Sequence, residues 1–166
     1  MIDTVAADAP TLNPKVVLDV GCGTGRLLRR VAAVWPEAQL VGVDAAAGMI
    51  ESAQMLAPTA TFYQAVAESL PQPNATVDLV FSAVSLHHWK DAARGVREAQ
   101  RVLRDGGMFC LADISIPSWI AKVIRSKARS GAAIRDLLIE AKFVPRAQRR
   151  TTAGILLVSL AVKTCT

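Results

Sequence analysis

Val16-Val17-Leu18-Asp19-Val20-Gly21-Cys22-Gly23-Thr24-Gly25 is the stretch whose reading decides the rest of the chain. Val16 to Val20 is an apolar, mostly β-branched run of the length of a buried strand. It ends in three alternate glycines, and Arg26-Leu27-Leu28-Arg29-Arg30-Val31 follows at helical spacing. A strand that feeds a helix through such a turn makes a ligand site. Missing side chains let the ligand approach the main chain. The helix start offers unpaired N–H groups and partial positive charge, which favour a carboxylate or a phosphate.

The spacing separates this turn from a dinucleotide fingerprint, G-x-G-x-x-G. Counted from Gly21 or from Gly23, the last glycine position holds Arg26 or Leu28. A nicotinamide oxidoreductase is therefore disfavoured. Asp19, if it points toward the turn, would repel a diphosphate and attract an ammonium or a sulfonium. The turn suits a small zwitterion, carboxylate toward the helix and cation toward Asp19. A second short strand, Leu40-Val41-Gly42-Val43, ends in Asp44, about 20 residues on, where an α/β unit sets a carboxylate over a ribose. A nucleoside joined to an amino acid meets all three requirements, and S-adenosylmethionine is that molecule.

The same residues, Leu18 to Gly25 and Val41 to Asp44, resemble the class I S-adenosylmethionine-dependent methyltransferases. Ala67-Glu68-Ser69-Leu70-Pro71, Val77 to Ser82, Leu86-His87-His88-Trp89 and Leu103-Arg104-Asp105-Gly106-Gly107 extend the likeness in order. They are similar to the branch that holds the ubiquinone/menaquinone biosynthesis methyltransferases. The likeness is strong over roughly residues 15 to 113. It implies an α/β, Rossmann-like, doubly wound, mostly parallel seven-stranded sheet with an antiparallel last strand and helices on both faces. It also implies methyl transfer from S-adenosylmethionine to a small-molecule acceptor, with S-adenosylhomocysteine as product.

The 166 residues suffice for one domain with a substantial core. A hydrophobic fraction of 52% with 20% charged residues describes a globular chain rather than a disordered one. Cys22, Cys110 and Cys165 form no ligand-spaced set, so neither a structural zinc site nor a disulfide framework is expected, and reduced thiols fit a cytoplasmic protein. Met1–Pro10 lacks the basic start and apolar run of a signal peptide. Residues 114 to 150 carry nine basic residues against Asp136 and Glu140, a net +7, while the remainder of the chain is −2.

Patterning expects a leader over 1–14 and helices near 24–35, 46–57, 91–103 and 131–143. Strands are expected at 16–20, 39–43, 61–65, 77–82 and 108–112, the last entered through a turn at Asp105-Gly106-Gly107. Residues 118–129 read as a basic amphipathic helix and 144–163 as two closing antiparallel strands. The whole is one domain, 1–166, with 114–143 as a variable lid or substrate region. Alternation of strand and helix means a parallel sheet.

The resemblance implies that Asp19, Gly21, Cys22 and Gly23 surround the methionine part of the cofactor, Cys22 through its main chain. Asp44 takes the ribose, or else caps the next helix. Ala45 and Met49 pack by ribose and adenine. Ala67 and Glu68 lie where the adenine is read, although Val66 stands where an adenine-accepting aspartate is common. Glu68 also reads as a solvated helix-start charge. Ser82 lies by the methionine ammonium through its backbone.

His87 and His88 fall at the carboxyl edge, where the transferring methyl belongs. One of them can accept the acceptor's proton. Alternatively, one packs as a wall and the other is solvated, and no partner carboxylate is identifiable from sequence. No metal is expected. Trp89 reads as a pocket wall or anchor.

Two other functional readings stay open: a cofactor-binding module without methyl transfer, and a truncated enzyme that lacks its substrate cap. The basic 114–150 stretch reads as a solvated surface beside a lid, or as a peripheral contact with anionic lipid. No nucleic acid is expected, since the chain carries no aromatic stacking set and no recognised motif.

Overall fold

The computed structural model describes residues 1–9, 11–116, 128–151 and 156–164. In chain order these form α1 (Ile2–Asp8), β1 (Val16–Val20), α2 (Arg26–Val34), β2 (Gln39–Asp44), α3 (Ala47–Leu56), β3 (Thr61–Gln64) and β4 (Val77–Ala83). A 3₁₀ turn (Leu86–His88) follows, then α4 (Ala92–Val102), β5 (Leu103–Ile114), α5 (Gly131–Glu140), β6 (Phe143–Arg150) and β7 (Leu156–Lys163).

The strands make one sheet in the order β3-β2-β1-β4-β5-β7-β6. Neighbours from β3 to β5 pair parallel, and β7 pairs antiparallel with both β5 and β6. The expected Rossmann-like architecture, closing strand included, is therefore observed. Succession runs outward from β1 through β2 to β3 on one side and from β4 to β5 on the other. The switch between β1 and β4 leaves a crevice at their carboxyl ends, where open α/β sheets take ligands.

The strands read as continuous apolar runs because both faces are covered. Alternate residues serve opposite layers. Leu18, Val20, Val80, Phe109 and Leu111 pack with Val96 and Ala99 of α4 and Ile134 and Leu138 of α5. Val17, Leu79, Phe81 and Cys110 pack with Val5 of α1, Leu28 and Val31 of α2 and Ile50 of α3. Buried Asp78 of β4 fixes the beginning of β1. Its Oδ2 accepts from Lys15 N–H at 2.8 Å and Val16 N–H at 2.7 Å, and its Oδ1 pairs with Arg104.

Three local expectations change. The leader contains α1, held by fully buried Val5 and by Arg149 Nη2–Asp8 Oδ1 at 3.2 Å. Its helix was illegible because seven residues carry too little periodicity. The turn at Asp105-Gly106-Gly107 is a bulge inside β5: the pairing steps from Val77↔Leu103 to Leu79↔Met108, and Gly106 has φ 74°. A bulge re-aims a strand without ending it. Helix α5 stops at Glu140, and Phe143 begins β6. The basic helix expected over 118–129, like Cys165, lies largely outside the described residues. No helix among the described residues is long and apolar enough to cross a membrane.

Candidate active site

The glycine turn is laced to the end of β2. Gly21 N–H and Cys22 N–H both donate to the Val43 carbonyl, at 2.7 and 3.0 Å. Gly23 N–H donates to Asp44 Oδ2 at 2.9 Å, and Ala46 N–H donates to Asp44 Oδ1 at 3.0 Å. Asp44 thus joins the turn to the start of α3. Each of its oxygens retains a further lone pair, and the side chain is half-buried at the cavity wall.

The glycines divide their work. Gly21 has φ 76°, and a Cβ there would lie 1.9 Å from Ser85 Oγ. Its missing side chain makes room for Ser85, not for a ligand as the sequence suggested. Gly23 has φ 52°, and a Cβ there would meet nothing within 4 Å. Gly23 is the position where bare main chain faces open space.

A cavity of about 800 Å³ opens beside this turn. Asp19, Gly21, Cys22, Gly23, Asp44, Ala45, Met49, Ala67 and Glu68 all border it, as does His88. Ser82 and His87 do not. Ser82 is fully buried at the end of β4 with its Oγ unpartnered among the described residues, and the next three residues, Ala83, Val84 and Ser85, form the wall instead. Val84 adopts φ 53°, rare for a β-branched residue. That backbone is fixed by its N–H, which donates to the Ala112 carbonyl at 2.7 Å.

Asp19 is 1% exposed, and its Oδ1 has no hydrogen-bond partner among the described residues. Burial, and secondarily the charge of Asp44, push its carboxyl up to about 7. A buried acid with an unsatisfied oxygen on a cavity wall is costly unless a donor or cation meets it. Burial likewise pushes the Cys22 thiol far above its ordinary range, so it is protonated and unreactive near neutral pH. Its sulfur lies 3.6 Å from the Gly23 carbonyl oxygen, a contact within the turn itself.

Glu68 does something neither reading anticipated. Its Oε1 accepts from Asp91 N–H at 2.9 Å, tying the loop after β3 to the start of α4. Asp91 in turn caps α4 through Arg94 N–H at 2.9 Å. Trp89 is buried and borders the cavity, and its Nε1–H donates to Ser85 Oγ at 2.8 Å. Gly21, Ser85 and Trp89 therefore interlock the glycine turn with the loop after β4.

The two histidines part company. His88 is exposed on the wall, whereas His87 is held from behind. Asp113, 2% exposed at the end of β5, meets His87 Nδ1 with its Oδ1 at 2.7 Å and accepts from His87 N–H at 2.9 Å through Oδ2. Ile114 N–H also donates to Asp113 Oδ1, at 2.7 Å. With two backbone N–H groups already donating to it, the carboxylate is an acceptor, and this environment favours the tautomer of His87 that places the proton at Nδ1. The ring centroids of His87 and His88 lie 4.0 Å apart. The carboxylate partner that the sequence did not reveal is Asp113. Its one linear signal is an acid at the end of an otherwise apolar strand. Also unforeseen on the wall are Arg26, Arg30 and Lys90. Among the described residues no cluster of three or more His, Cys, Asp or Glu is placed to hold a metal ion.

Comparison with known proteins adds independent findings. The family described as "Methyltransferase domain" matches residues 18–111. Malonyl-[acyl-carrier protein] O-methyltransferase of Hahella chejuensis is 45% identical over 96 residues, which is 57% of this chain and 34% of that protein. Demethylmenaquinone methyltransferase of Chlorobaculum parvum is 32% identical over 105 residues, 63% of this chain and 43% of that protein. The chain thus spans well under two thirds of these curated relatives. The YcgJ protein of Bacillus subtilis superposes with a TM-score of 0.80 at 20% identity, covering 99% of this chain and 98% of that one, which is a likeness of fold.

Proposed function

The chain belongs to the methyltransferase domain family, and we propose that it binds S-adenosylmethionine and passes its methyl group to a small-molecule acceptor. One observation carries this reading. A buried acid with an unpartnered oxygen, Asp19, and a carboxylate with lone pairs to spare, Asp44, flank one glycine turn on one cavity wall.

The donor set suits an amino-acid-bearing nucleoside. Asp19 would hold an ammonium, and Asp44 would accept from the ribose diol. The first turn of α2 has no side-chain cap and is joined by Arg26, so it would hold the carboxylate. Met49, Ala45, Val66 and Ala67 would flank the adenine. Val66 offers no acceptor for the adenine amino group, so ring recognition rests on apolar contact and main chain.

When bound, the cofactor supplies an electrophilic methyl on a positively charged sulfur. The protein's part is alignment and exclusion of water. The Gly21–Ser85–Trp89 interlock fixes the turn against the loop that borders the acceptor side. His88, on the wall, takes the acceptor's proton where the nucleophile needs to lose one. His87 is a positioning residue: Asp113 pins it, and its ring backs that of His88. The curated relatives named above are called a malonyl-[acyl-carrier protein] O-methyltransferase and a demethylmenaquinone methyltransferase, which supports a small-molecule acceptor without choosing one.

The test is incubation with methyl-labelled S-adenosylmethionine and pools of candidate acceptors, followed by mass spectrometry. A labelled product together with S-adenosylhomocysteine is expected. Cofactor binding without label transfer from any pool would instead leave a binding module.

A further inference from the structure

Resting on that cofactor reading, we propose that the methyl acceptor is an anion, recognised by Arg30 and Lys90 at the mouth of the cavity. Arg26, Arg30 and Lys90 are all exposed and all border the cavity. Arg26 and Arg30 are four residues apart on α2 and so share one face. Lys90 comes from the loop that carries His88 and Trp89. Among the described residues none of the three stands in an ion pair. Elsewhere, Arg101 is paired with Glu98, Arg104 with Asp78 and Arg149 with Asp8.

The acids of the same wall have other work. Asp19, buried at the inner wall, answers the cofactor ammonium, Asp44 is bonded to Gly23 and Ala46, and Glu68 is bonded to Asp91. Filling the cofactor positions uses the charges unevenly. The ammonium answers Asp19, and the carboxylate answers Arg26 and the start of α2. Arg30 and Lys90 are left without an ion-pair partner at the rim, the sulfonium adds a further positive charge, and the two remaining carboxylates, Asp44 and Glu68, keep their charge but turn oxygens to main-chain N–H groups of the protein.

A cationic acceptor would be repelled from such a mouth, and a neutral one would gain nothing from it. A carboxylate or phosphate gains charge-assisted hydrogen bonds, with the planar guanidinium of Arg30 able to grip two oxygens at once. It is also drawn in from solution. Because Lys90 follows His88 by two residues, the anionic group anchors at the rim while the nucleophile reaches toward the imidazole.

Calorimetry tests this in two stages. S-adenosylhomocysteine is titrated first; failure to bind would defeat the cofactor reading itself. The protein saturated with it is then titrated with tricarballylate, its uncharged triamide, and inorganic phosphate. At low salt at least one anion should bind at least about tenfold tighter than the triamide, and the preference should shrink as salt screens it. Tricarballylate above phosphate assigns a carboxylate, and the reverse order a phosphate. The double variant Arg30→Gln/Lys90→Gln should keep its S-adenosylhomocysteine affinity within about twofold and lose about tenfold or more for the anion. If S-adenosylhomocysteine binds but anions and triamide bind alike, if no anion binds, or if the double variant binds the anion as wild type does, the proposal falls while the cofactor reading stands.

Discussion

Asp113 Oδ1 lies 2.7 Å from His87 Nδ1, and the other oxygen of the same carboxylate accepts from the His87 backbone N–H at 2.9 Å. One buried acid thus holds both the ring and the main chain of the 3₁₀ turn. Replacing it with asparagine keeps the shape but leaves one of these donors facing another donor. Asp113→Asn should lower stability by about 1–3 kcal/mol, measured by denaturant unfolding. Nitrogen-detected NMR of the imidazoles should show His87 protonated at Nδ1 in the wild type and a mixture of tautomers in the variant. S-adenosylhomocysteine affinity should stay within about twofold, since Asp113 does not border the cavity.

Asp19 makes cofactor binding a proton-linked event. Its carboxyl is raised from 3.8 to about 7 in the folded protein. Between those values the folded state holds a proton that the unfolded state has lost, so stability falls as pH rises through that window. An ammonium placed beside the acid favours the ionised form and pulls the value back down. Binding of S-adenosylhomocysteine near pH 7 should therefore release a proton, read as a dependence of the calorimetric enthalpy on buffer ionisation. Asp19→Asn should abolish the dependence and weaken binding. A wild-type enthalpy independent of buffer would contradict the ammonium role.

Gly21→Ala probes the interlock between the turn and the loop after β4. The added Cβ would fall 1.9 Å from Ser85 Oγ and 2.5 Å from Ser85 Cβ, at a backbone φ of 76°. The variant should lose about 2 kcal/mol or more of stability. Ser85→Gly in the same chain removes the clash but leaves Trp89 Nε1–H without its acceptor. The double variant should recover part of the loss, and failure to recover any would assign the whole effect to the backbone.

The fold was legible because its signals are local and repeated. Five short apolar runs, three of the four intervals between them holding a helical pattern, leave little but a parallel sheet, and the family likeness adds the antiparallel β7. Asp19 and Asp44 were legible too, since a strand, a turn and a fixed interval place them together. What escaped the sequence depends on tertiary meeting. Asp113 finds His87 only because β5 lies beside β4, with Ala83 paired to Ala112. Ser85 touches Gly21, 64 positions away in sequence, only through the same crossover. Arg30 and Lys90 share a wall for the same reason. Helix α1 was hidden in another way: its one fully buried side chain, Val5, gives no periodicity to read.

In the proposed function the glycine turn and Asp44 together hold an amino-acid-bearing nucleoside. Asp44→Asn separates that role from a structural one, because the amide can still accept from one of Gly23 and Ala46 while the second acceptor oxygen is lost. Titration of S-adenosylhomocysteine by calorimetry should show binding to the wild type at one site and about tenfold or more weaker binding to the variant. Equal affinity in the two proteins, or no binding to the wild type, would contradict it.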